Sequence, residues 1–248
     1  MKIVRFTVGS DTHSGRLEGD DIHIWDGHSN HRKYPLEEVR LLPPCEPSKI
    51  VAVGLNYRDH AEELHMALPT EPLLFLKPST AVLGPGDAII LPPQSQRVDY
   101  EAELAVVIGK TARGVLLAEA ADYILGYACL NDVTARDLQA KDGQWTRAKG
   151  FDTFCPIGPW IETELDHKDL KIELFLNGTL KQSSRTANLI FNPFELVAFI
   201  SNIMTLLPGD VIATGTPSGI GPMLTGDEVE VRIEGIGSLF NLVSTKER

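Results

Sequence analysis

A chain of 248 residues, 43% apolar and 23% charged, is long enough to bury one large core, with or without a small appendage, and needs no disulfides to do so. Its formal charge of −11 repels a phosphate backbone, so nucleic acid is excluded as the expected partner. No apolar run reaches the roughly 18 residues of a membrane span, and the N-terminus MKIVRFTVGSDTHSG lacks the apolar core of a secretion signal. Cys45, Cys129 and Cys155 form an odd, widely spaced set without CxxC, which reads as reduced thiols in a cytoplasm.

The first 47 residues read as a small β domain. KIVRFTV is a strand, SGRLEGDDIHIWDG a hairpin, and YPLEEVRLL a short segment. The prolines of LLPPCEPSK favour extended chain, which places a linker near residues 43–48. The second domain then runs over 48–248. KIVAVGL is a strand, and NYRDHAEELH a helix with Asn56 as its cap. EPLLFLKP is a strand, and GPGDAIILPP a turn followed by one. DYEAELAVVIG and YILGYACLND are strands, with a short helix at AEAADY between them. LKIELFLNGTLKQSS is a hairpin with Asn177-Gly178 at its tip, and NPFELVAFISNIMTL a helix capped by Asn192 with Pro193 in its first turn. LPGDVIATGTP, DEVEVRIEGIG and FNLVST complete the strands. Strands dominate and do not alternate with helices, which excludes a doubly wound sheet or an α/β barrel and predicts a mixed sheet rolled on itself.

One strand is unusual. Residues i and i+2 share a face at ~3.3 Å per residue. Glu101, Glu103, Ala105 and Val107 therefore lie on one side, and Tyr100, Ala102, Leu104, Val106 and Ile108 on the other. The second side is core. Two ionised carboxylates roughly 7 Å apart at a core edge repel and lose hydration, so something must compensate them. With Asp132 at the end of YACLND and no Cys/His cluster nearby, a hard cation fits, Mg²⁺ before Mn²⁺ or Ca²⁺. Solvated acids at a strand end are the plainer reading of the same spacing.

Three further features stay open at this level. His60 and Glu63 are three apart on the predicted helix and make either a general-base pair or an ordinary surface pair. Lys149 in TRAKGFD either holds a substrate anion or is solvated. ATGTPSGIGP lacks the Lys-Ser/Thr of a nucleotide phosphate loop, while a backbone nest for a carboxylate is compatible with it.

The ordered stretches GLNYRDHAEE, PLLFLKPST, DYEAELAVVIGK, GYACLNDVTARDLQ, WTRAKGFDTFCPIGPWI and GDVIATGTPSGIG together resemble the fumarylacetoacetate hydrolase family over residues 48–245. The resemblance implies an α+β, β-rich fold, a mixed β-sandwich roll, and usually a homodimer. It implies Mg²⁺ (or Mn²⁺) held by Glu101, Glu103 and Asp132. His60 and Glu63 match a water-activating pair on a lid helix, and Lys149 matches a catalytic lysine. Lys77, Arg136, Gln139 and Thr216, the last in the TGTP loop, match substrate-binding positions. The segment LHMALPTEP, 64–72, reads as a lid hinge whose side chains select the substrate.

The implied substrate is a small 2-oxo acid or dioxo acid. The implied reaction is metal-dependent C–C hydrolysis of acylpyruvates, releasing pyruvate through a metal-bound enolate. The same chemistry extends to an oxaloacetate-type decarboxylase or a 2-hydroxyhepta-2,4-diene-1,7-dioate isomerase. A non-catalytic 2-oxo-acid-binding protein is the alternative from another class. The long N-terminal domain of the animal fumarylacetoacetase has no counterpart here, which argues against that enzyme's own substrate.

Overall fold

The computed structural model describes residues 1–25 and 32–245. Asp26 and Gly27, the last residues of the expected N-terminal hairpin, lie outside them. Its strands Asp11–Glu18 and Asp21–Ile24 pair antiparallel around a tight turn, with Gly19 at φ +59°.

The main sheet holds twelve strands among the described residues. Its centre runs in the order Lys2–Val8, Cys155–Glu162, Ile124–Asn131, Ala102–Ile108, Val211–Ala213, Ile50–Gly54 and Leu73–Lys77. The pairs are antiparallel except Val211–Ala213 with Ile50–Gly54. The N-terminal strands thus extend the main sheet through hydrogen bonds to Cys155–Glu162. A five-stranded sheet, Thr179–Arg185, Lys171–Leu176, Glu228–Ile233, Gly237–Ser244 and Ala88–Ile90, packs against its centre. This is the β-rich α+β roll that the strand count predicts. Among the described residues no helix is long and apolar enough to cross a membrane.

Ala102–Ile108 is buried at every position because both of its faces meet a core. Leu104, Val106 and Ile108 join Ile172, Leu174, Val229 and Val231 between the two sheets. Ala105 and Val107 join Ile50, Ala52, Ala128 and Val211 on the opposite face. Each buried aliphatic side chain contributes roughly 1.5–3 kcal/mol, so the strand that leads into the acids is among the most firmly held in the molecule.

Local signals explain much of the rest. Asn177 and Gly178 both take positive φ, +52° and +72°, as a two-residue hairpin turn requires. Asn192 caps Pro193–Ser201 with a reciprocal capping box, its side chain accepting from the amides of Phe194 and Glu195 while the Glu195 carboxylate accepts from the Asn192 N–H. That helix stops at Ser201, short of the expected run to Leu206.

Several expectations are corrected. Asn56 does not cap the Arg58–Glu63 helix, whose N-cap is Tyr57. Its buried amide instead donates to the carbonyls of Phe191 and Thr214 and accepts from Phe191 N–H, tying three loops together. The DYEAELAVVIG strand is broken at Glu101 into Val98–Tyr100, which belongs to a separate three-stranded sheet, and Ala102–Ile108. The strand of YILGYACLND ends at Asn131, one residue before Asp132. Cys155–Glu162 is a central strand absent from the sequence reading, because Pro156, Gly158 and Pro159 signal against one. The short helices Arg136–Asp142 and Thr146–Lys149 were also not expected; neither is long enough to show an apolar period.

The chain at Ser48 and Lys49 is held by a buried acid. Asp210 accepts from Ser48 N–H (2.9 Å), Ser48 Oγ (2.6 Å) and Leu207 N–H (2.8 Å), and pairs with the Lys49 ammonium. Asp210→Ala leaves these donors unpaired. It is expected to cost about 3 kcal/mol in urea unfolding; a loss under about 1 kcal/mol, the size of an ordinary surface change, would contradict this assignment.

Candidate active site

The break at Glu101 builds the site. Asn131 Oδ1 accepts the Glu101 N–H at 2.9 Å, and Gln182 Oε1 accepts the Ala102 N–H at 2.9 Å. Two side chains thus replace the ladder bonds lost where the chain passes between sheets. Glu101, Glu103 and Asp132 are all buried, and each offers a carboxylate oxygen within 4.8 Å of the others.

Basic side chains compensate two of these acids. Lys149 Nζ lies 2.8 Å from Glu101 Oε2 and 2.5 Å from Asp132 Oδ2. Lys77 Nζ lies 2.5 Å from Asp132 Oδ1 and donates to Val133 O at 3.2 Å. Arg136 bonds Glu101 with one amino group, Asp99 through Nε (3.0 Å) and Gln139 Oε1 (2.7 Å). Burial alone would raise the Glu101 carboxyl, but Lys149 and Arg136 outweigh it and hold it below the usual carboxylate range. Burial likewise works against the Lys149 ammonium, and Asp132 and Glu101 more than offset it, so Lys149 stays charged.

Glu103 differs. It receives the Gly215 N–H at 2.7 Å, and no salt bridge reaches it among the described residues. Burial first, then Asp132 and Glu101, push its carboxyl well above the ordinary value. An oxygen-only set carrying one uncompensated buried carboxylate fits a hard divalent ion, which supplies the missing charge.

The Gly-rich loop grips carboxylates, but they are the protein's own. Gly215 N–H holds Glu103, and Gly219 N–H donates to Glu63 Oε1 at 3.1 Å. Both glycines have φ above +90°. A Cβ at Gly219 would lie 2.4 Å from Lys181 O. Glu63 Oε2 is 2.9 Å from His60 Nδ1, so the loop fixes the far side of the imidazole.

His60, Glu101, Glu103, Asp132, Arg136, Gln139, Lys149 and Thr216 line one cavity of about 260 Å³. Glu63 reaches it through His60. Lys77 is fully buried behind Asp132 and does not line the cavity. Sequence reasoning missed Gln182, which besides bonding Ala102 donates to Thr216 Oγ1 and Pro217 O, both at 2.9 Å. Gln182 and Ser184 are the buried positions of this otherwise exposed strand, a pattern that TLKQSSR does not show in its sequence. Phe75 and Trp145 were also missed as lining residues.

The fold and this site define a β-rich protein with a buried three-carboxylate centre beside a His–Glu pair. Residues 49–244 match the family model described as Fumarylacetoacetate (FAA) hydrolase C-terminal, and residues 1–44 match Rv2993c-like, N-terminal. The chain belongs to the fumarylacetoacetate hydrolase family. It is similar to a 2-hydroxyhepta-2,4-diene-1,7-dioate isomerase structure from Mycobacterium marinum, with 44% identity, all of both chains covered and a TM-score of 0.93. It is similar to Oxaloacetate tautomerase Fahd2a, mitochondrial, of Rattus norvegicus, 42% identical over 84% of this chain and 71% of that one. A maleylpyruvate hydrolase from Sphingobium sp. SYK-6, solved with manganese(II) and pyruvate, is 33% identical, covers 98% of this chain and 99% of its own, and has a TM-score of 0.83.

The raised Glu103 carboxyl gives a sign for pH. Its folded-state value lies above the unfolded ~4.3, so its contribution to stability is complete below that value and is lost as pH rises through the folded one. A divalent ion must displace this proton. Added Mn²⁺ is therefore expected to raise the melting temperature more at pH 8 than at pH 5.5, and Glu103→Gln to remove most of the increment. An increment independent of pH, or intact in the variant, would contradict the assignment.

Proposed function

We propose that the protein is a metal-dependent C–C bond hydrolase of acylpyruvate-type 2,4-dioxo acids that releases pyruvate. The observation that carries this reading is that His60, paired with Glu63, lines the same cavity as the acid–lysine cluster. Mg²⁺ or Mn²⁺ held by Glu101, Glu103 and Asp132 would supply Lewis-acid polarisation of the 2-oxo acid.

The chain's own groups perform the proton and charge work. Glu63 accepts from His60 Nδ1–H and leaves Nε2 as the base. Nε2 takes a proton from the water that attacks the distal carbonyl. The bond from that carbon to C3 then breaks, and its electron pair stays on the pyruvate fragment as the enolate. Lys149, held charged by its acids, stabilises that developing negative charge. Return of a proton to C3 completes pyruvate, and the acyl half leaves as a carboxylic acid. Thr216 and Gln139 offer the polar contacts that orient the substrate head. The family resemblance extends the proposal to a homodimer in the cytoplasm, with a division into residues 1–47 and 48–248.

The relative named as an oxaloacetate tautomerase favours a second reading, in which His60 moves a proton at C3 and no water attacks. Decarboxylation of oxaloacetate would release CO₂ and leave the same pyruvate enolate as the hydrolysis, while isomerisation of a diene-dioate would relocate a proton with no water attack and no C–C cleavage. His60→Ala separates the readings. Pyruvate release from acetylpyruvate is expected to fall by about 10²–10⁴, with turnover of oxaloacetate falling less. Equal losses, or a wild type that converts oxaloacetate and leaves acetylpyruvate untouched, would overturn the hydrolase. Oxalate binding with no turnover of any 2-oxo acid would leave only a binding protein.

A further inference from the structure

The cavity is lined by two unlike sets of side chains. One is polar: its three acids, Lys149, Arg136, His60, Gln139 and Thr216. The other is apolar and includes Leu64, Met66, Leu73, Phe75 and Trp145. Leu64, Met66 and Leu73 expose 45%, 55% and 53% of their surface, more than an ordinary core residue does, so they form an apolar mouth. The basic side chains that line the cavity are already engaged among the described residues: Lys149 by Glu101 and Asp132, Arg136 by Asp99 and Glu101, and His60 by Glu63.

Trp145 is fixed from both sides. It meets Phe75 edge-on, with centroids 5.2 Å apart at 73°. On its other side is Gly54, where a Cβ would lie 2.8 Å from Trp145 Cζ3 and 3.0 Å from Cη2. An indole is rigid, so any side chain at position 54 would push it. The wall also adjoins Lys149. Trp145 O accepts the Lys149 N–H at 2.9 Å, and Lys149 Nζ lies 5.0 Å from the Phe75 ring centroid.

We propose that this wall is a tail subsite for an uncharged, apolar group, and that Gly54 sets its size by giving the Trp145 indole its seat. The inference rests on the reading that a 2-oxo acid binds with its carboxylate at the three acids. It narrows the substrate class to 2-oxo acids with an apolar tail. A terminal carboxylate would be stripped of water against Leu64, Met66 and Trp145 with no free cation to receive it.

Binding of inert probes tests this without turnover. Isothermal titration in excess Mn²⁺ would compare oxalate, 2-oxohexanoate and 2-oxoadipate, the last two matched in length. Wild type is expected to bind 2-oxohexanoate about tenfold or more tighter than 2-oxoadipate. Gly54→Ala is expected to lower the ratio of 2-oxohexanoate to oxalate affinity by about tenfold. Trp145→Phe, which makes room, should raise that ratio for 2-oxooctanoate, and it decides the matter if Gly54→Ala does not fold. Equal or tighter binding of 2-oxoadipate, or ratios unmoved in both variants, overturns the tail subsite while the head reading stands. Failure of oxalate itself to bind overturns the head reading, and the subsite with it.

Discussion

One buried carboxylate organises the site. Glu101 and Asp132 each have lysine or arginine partners at hydrogen-bond distance, while among the described residues Glu103 has only the Gly215 amide. Burying an unpaired charge is costly, so a folded chain either protonates such a group or supplies a counter-charge. Burial, and after it Asp132 and Glu101, push the Glu103 carboxyl toward its protonated form, and a divalent ion is the other answer. Lys149 stands beside that choice through its pairs with Glu101 and Asp132.

The fold holds this unfavourable group in place by making its surroundings very favourable. The strand beyond Glu103 is buried on both faces. The break before it is closed by Asn131 and Gln182, and the loop that holds Glu103 also holds Glu63. A single backbone segment, 213–222, thus sets the acid centre and the His60–Glu63 pair relative to each other. Gly215 and Gly219 are conformational requirements, since the turns that aim their amides need positive φ. Phe75 and Trp145 add an aromatic part to the cavity lining.

Much of this is legible in the sequence for local reasons. Alternation along VDYEAELAVVIG separates the core face from the acid face, and Asn177-Gly178 and Asn192-Pro193 declare a turn and a cap. What was not legible comes from contacts across long stretches of chain. Gln182 acts on Ala102 across 80 residues, and Asn56 on Phe191 across 135, so neither has a local signature of its role. Asn56 precedes a helix and so reads as a cap by the local rule, yet the partners it binds are tertiary. Position 145 is a tryptophan in a short, unperiodic stretch; only its packing on Gly54 gives it a place.

The account stands on the three acids and the base acting on one bound molecule. The most direct measurement is pyruvate release from acetylpyruvate by EDTA-treated protein, before and after Mg²⁺ is added back, in the wild type and in Asp132→Asn. The account predicts no release without the ion, recovery on its return in the wild type, and no recovery in the variant. Full release in EDTA, or full recovery in Asp132→Asn, would contradict it.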